Sequence, residues 1–85
     1  MTRTAVVAGV GPGLGASLAR RFAREGCAVA LFARSAEYIE DLAADIRASG
    51  GEALAVPADV GDETAVTDGF EAVRDAFGPV DVLVC

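Results

Sequence analysis

The sequence predicts an α/β fold, a doubly wound parallel sheet in the order β-α-β-α-β-α-β, and three observations carry that reading. Short continuous apolar runs alternate with longer stretches whose apolar residues recur at helical spacing. Each of the first three apolar runs is followed by such a stretch, as the crossovers of a parallel sheet require. Glycines crowd the first strand-to-helix junction, in AGVGPGLGAS at 8–17. Right-handed crossovers leave few topologies, and strand order 3-2-1-4 is the simplest.

The elements follow in turn. TAVVA at 4–8 is a short apolar run of strand type. Leu14, Leu18 and Phe22 then recur every four residues, with Ala19 and Ala23 beside them, and give a helix one apolar stripe that Gly26 ends. CAVALFA at 27–33 is continuously apolar, as suits a strand covered on both faces. Ser35 is placed to cap a second helix, whose stripe is Ile39, Leu42, Ala43 and Ile46 and which SGG at 49–51 closes. ALAVP at 53–57 is the third strand. Asp62 and Glu63 put negative charge where the dipole of a third helix favours it, with Val66, Phe70, Val73 and Phe77 as its apolar face. Gly78-Pro79 stops that helix, and VDVLVC at 80–85 is the fourth strand.

Composition narrows the function. With 85 residues there is room for one small domain, and 53% hydrophobic content separates the chain from disordered tails. A net charge of −6 argues against nucleic acid as a partner. Arg20, Arg21 and Arg24 cluster, but on one helix, where they read as a solvated face. No apolar run approaches the ~18 residues of a membrane span, and no secretory signal is evident, so a cytoplasmic location is expected. Two cysteines and no histidine leave no metal site. Cys27 and Cys85 fall at opposite ends of their strands and are expected as buried, reduced thiols.

The glycines at 9–15 carry the functional signal. A helix N-terminus has unpaired N–H groups and a partial positive charge, and glycines let a pyrophosphate come close to it. The pattern G-x-G-x-x-G fails from Gly9, where Leu14 stands in the third position. From Gly11 it reads Gly11-x-Gly13-x-x-Ala16. The pattern G-x-x-x-G-x-G fits Gly9, Gly13 and Gly15 without exception. Gly9, Gly11, Pro12, Gly13, Leu14 and Gly15 are therefore the expected cradle of a phosphate-bearing cofactor.

With that glycine pattern followed by ARRFAREGCAVALFARS, the chain resembles the short-chain dehydrogenase/reductase family, over all its residues but over only about the first third of a usual member. The resemblance implies a Rossmann-like fold that binds a nicotinamide dinucleotide. Asp59-Val60 resembles the family's Asp-Val pair beside the adenine ring, and VDVLV at 80–84 the strand leading into its Asn-Ala-Gly segment. A carboxylate after the second strand would read the ribose hydroxyls and repel a 2′-phosphate. Here Arg34 and Ser35 stand instead, and in the family an Arg at this point marks preference for NADP. The family's catalytic Tyr and Lys have no counterpart, because the sole tyrosine, Tyr38, lies in the second helix and there is no lysine. Residues 1–85 thus read as the N-terminal dinucleotide-binding half of an NADP-dependent oxidoreductase, catalytically incomplete, with oligomerisation expected only of a longer form. The fourth strand is then an exposed apolar edge. A stand-alone NADP(H)-binding or redox-sensing module is the alternative. A methyltransferase loop fits less well, since that fold also favours an acid after the second strand.

Overall fold

The computed structural model describes residues 2–84. Four strands, β1 (Thr4–Ala8), β2 (Ala28–Ala33), β3 (Glu52–Pro57) and β4 (Val82–Val84), alternate with three helices, α1 (Leu14–Arg24), α2 (Ala36–Ala48) and α3 (Glu63–Phe77). All strand pairs are parallel and the order is β3-β2-β1-β4, as the alternation of periods predicts.

Burial explains the strand sequences. Every residue of β2 is buried, because β2 lies inside the sheet with helices over both faces. One face packs Val7, Val29 and Leu31 against Ala19 of α1 and against Ile39, Leu42, Ala43 and Ile46 of α2. The other packs Val6, Ala30, Phe32 and Val56 against Val73 of α3. The stripe of α2 is buried as its spacing predicts.

Four details depart from the sequence reading. Leu14 opens the predicted stripe of α1 yet is 75% exposed, since the first helical residue overhangs the preceding loop and the stripe meets the sheet only further along. β2 starts at Ala28, and Cys27 is a half-buried free thiol instead of a buried one. β3 starts one residue earlier, at Glu52. β4 starts at Val82, since Asp81 turns its carboxylate back onto β1; the expected end of that strand, Cys85, is outside the described residues.

That Asp81 contact sets the β1–β4 register. The Thr4 amide donates to Asp81 Oδ2 at 2.8 Å, and the Asp81 amide donates to the Thr4 carbonyl at 2.9 Å. The buried Thr4 hydroxyl donates to the Phe77 carbonyl at the end of α3. β4 forms one edge of the sheet, with Leu83 54% exposed.

Asp62 is the N-cap of α3 and not part of its first turn; its Oδ1 accepts from the Ala65 amide at 3.2 Å. Replacing Asp62 with Ala is expected to cost about 1 kcal/mol of stability. For a domain of this size that lowers the melting temperature by about 4–8 °C in a circular-dichroism melt. Only Gly69 and Val73 of α3 are fully buried, with Val66, Phe70 and Phe77 half-buried. The helix comes so close at Gly69 that a Cβ there would lie 2.6 Å from Phe32 Cε2. Arg20, Arg21 and Arg24 form a solvated face, with an Arg20–Asp45 pair at 3.3 Å linking α1 to α2. No helix among the described residues is long and apolar enough to cross a membrane.

Candidate functional site

The carboxyl ends of β1, β2 and β3 open onto one cleft. The β1–α1 loop enters it first. The Gly9 and Val10 amides both donate to the Phe32 carbonyl, at 2.8 and 3.0 Å, which ties the start of the loop to the end of β2. Gly9 (φ +73°) and Gly13 (φ +92°) take left-handed backbone that side chains disfavour. Gly15 lies close against the loop instead. A Cβ on it would lie 3.3 Å from Val10 Cα, so the first turn of α1 packs directly on the loop. Gly11 has neither constraint and faces open space. Of the register Gly9, Gly13, Gly15, the backbone conformation favours glycine at the first two, and the third has a close neighbour.

The start of α1 is chemically bare. Gly13 is its N-cap, no side chain caps it, and its first turn holds no acidic residue. The first-turn amides of a helix have no intrahelical acceptor, so this terminus offers donors and a positive dipole end. By contrast, α3 is closed by the Asp62 carboxylate and carries Glu63 in its first turn.

The rest of the cleft comes from the other two strand ends. A cavity of about 280 Å³ is lined by Gly9 and Val10 from the loop, Ala33, Arg34 and Ser35 from the end of β2, and Ala58 and Val60 beyond β3. The sheet thus brings together Gly9, Arg34, Ser35 and Val60 from three separate segments. Arg34 is exposed and, among the described residues, makes no ion pair. Ser35 is the N-cap of α2 by position, but its hydroxyl makes no capping bond and stays available. Val60 is 54% exposed and Leu14 is 75% exposed. Asp59 is exposed, and its Oδ1 accepts from the Gly61 amide at 2.8 Å, which shapes the β3–α3 turn. Gly11, Pro12 and Gly13 lie in the loop ahead of α1, with Pro12 solvent-exposed. Tyr38 packs half-buried against the α1–α2 side of the core, as its place in the second helix predicts.

Sequence reasoning missed Val10, Ala33 and Ala58 as cleft walls. Each adjoins a residue that the motifs did single out, so proximity to those motifs was the available signal. The Phe32 carbonyl, which anchors the loop, left none.

These donors suit a dinucleotide. A bare helix N-terminus matches a diphosphate, small apolar walls match a flat ring, and the Arg34 guanidinium, without an ion pair among the described residues, lines the same cleft. The class defined is a dinucleotide-binding doubly wound domain. The chain matches the short chain dehydrogenase family model over residues 3–85 and belongs to that family.

It is 38% identical over 80 residues to the gluconate 5-dehydrogenase of Gluconobacter oxydans, covering 94% of this chain and 31% of that protein. It superposes on a metagenomic short-chain oxidoreductase in complex with NADP at 36% identity and TM-score 0.86, over 95% of this chain and 37% of that one. On the L-sorbose reductase from Gluconobacter frateurii, complexed with NADPH and L-sorbose, the identity is 32% and the TM-score 0.90, over 96% of this chain and 32% of that one. The chain therefore spans about a third of the length of these relatives.

Proposed function

We propose that this chain holds NADP(H) in preference to NAD(H), as the cofactor-binding part of an oxidoreductase that interconverts a carbonyl and an alcohol. The observation that carries the preference is the free Arg34 guanidinium on the cleft wall, in the segment 31–35, which has no carboxylate. A planar, permanently charged fork matches a 2′-phosphate, which an acidic residue there would repel. The metagenomic and sorbose-reductase structures, solved with NADP and NADPH, support the same reading.

The chain's own residues divide the work. Gly9, Gly11, Pro12, Gly13, Leu14 and Gly15 form the cradle in which the first-turn amides of α1 face the diphosphate. Arg34 and the free Ser35 hydroxyl face the 2′-phosphate. Asp59 and Val60 flank the adenine. Leu14 and Val60 are two of the three large apolar side chains left exposed among the described residues, and a bound cofactor would cover them. When bound, the cofactor supplies the hydride. Residues 1–85 act as one dinucleotide-binding unit, in the cytoplasm, with no nucleic-acid or membrane partner.

Calorimetric titration of the chain with NADPH and NADH tests the preference. Tighter binding of NADPH is expected, and equal affinities would overturn it.

A further inference from the structure

Pro12 lies in the cradle, yet its ring has no polar atom and its nitrogen carries no proton to donate. We infer that Pro12 is a positioning residue, one that orders the Gly11–Gly13 segment before any ligand arrives, so that a diphosphate meets a loop already shaped for it. The inference rests on the dinucleotide reading of the site.

The loop is held unevenly. Its start is pinned, with the Gly9 and Val10 amides on the Phe32 carbonyl and Gly15 seated on Val10. Its end is the first turn of α1, where the Ser17 amide donates to the Gly13 carbonyl. Between them, positions 11 and 13 face open space, and Pro12 is exposed. Gly11 is half-buried, but no side-chain bond among the described residues restrains that stretch. Two glycines around a third residue would make the softest backbone a chain can have. The proline ring fixes its own φ and narrows the choices of Gly11 before it. It does so at the loss of one amide donor, in a site whose donors lie in the following helical turn.

The inference separates from an ordinary structural role by where the effect appears. A residue that holds folded structure together lowers the melting temperature when it is replaced. A residue that alone restrains an unpacked loop frees that loop in the folded and unfolded chain alike. Its loss leaves the melt nearly unchanged and weakens binding.

The test uses the chain with Pro12→Ala and Pro12→Gly, titrated with inorganic pyrophosphate and with NADPH, following the Gly13, Leu14 and Gly15 amides by NMR. Pro12→Ala should weaken both ligands by the same factor, about two- to fivefold, the range that one proline's backbone entropy spans. Pro12→Gly should weaken both further, and both variants should melt with the parent. Unchanged affinities, an equal loss in the two variants, or a loss confined to NADPH would overturn the role of Pro12 while leaving the site in place. If the parent chain binds neither ligand, the dinucleotide reading fails, and the role of Pro12 falls with it.

Discussion

Replacing Arg34 with Ala is expected to weaken NADPH binding by about ten- to a hundredfold and NADH binding by less than about twofold. A hydrogen-bonded charged partner contributes about 1.5–3 kcal/mol, and Arg34 is free to give all of it to a ligand phosphate. The side chain is exposed and makes no ion pair among the described residues, so its removal leaves no buried group stranded. The melt should therefore be unchanged, as is usual for a surface substitution. Arg34→Lys should fall between the two, since lysine keeps the charge but loses the planar fork. Parallel titrations of both dinucleotides give the answer. Equal losses for NADPH and NADH would show that Arg34 does not read the 2′ position.

Phe32→Ala is expected to produce the largest loss of stability, about 3–5 kcal/mol. Phe32 is the largest of the fully buried side chains. It stacks tilted against Phe70 with ring centroids 5.3 Å apart, and α3 crosses it at Gly69 with no room for a Cβ. Emptying this site leaves a cavity that Gly69 cannot fill. A domain of this length has about 4–13 kcal/mol of stability in all, so the substitution removes a large share of it. A urea melt followed by circular dichroism measures it. A loss below about 1 kcal/mol would show that α3 collapses into the gap.

Much of this architecture was legible because burial writes a period into the sequence. The all-buried β2 appears as an unbroken apolar run, and the stripe of α2 sits at i, i+3, i+4, i+7. The strand order followed from alternation and handedness together. What stayed hidden depends on contacts between distant segments. Gly69 looks like a weak point in a helix, and only the Phe32 ring beneath it explains why it is there. Leu14 fits a stripe by spacing, but spacing does not say that the stripe's first member overhangs a loop. The start of β4 was misplaced because the Asp81 carboxylate bonds a backbone amide on the opposite end of the chain. In the site, the glycine loop and Arg34 were visible as residue types. The Phe32 carbonyl that joins loop to strand was not, since every residue has one.

That carbonyl has a consequence for how cofactor preference can change over evolutionary time. The loop is fastened to residue 32, and the proposed ribose reader is residue 34 of the same chain segment. Anchor and reader are two residues apart, but one is backbone in the core and the other is an exposed side chain. A lineage could exchange residues 34 and 35 freely, at almost no cost in folding, without disturbing the fastening. Preference between the two dinucleotides would then be a trait that a single codon can rewrite, on a cradle whose Gly9 and Gly13 hold backbone that side chains disfavour.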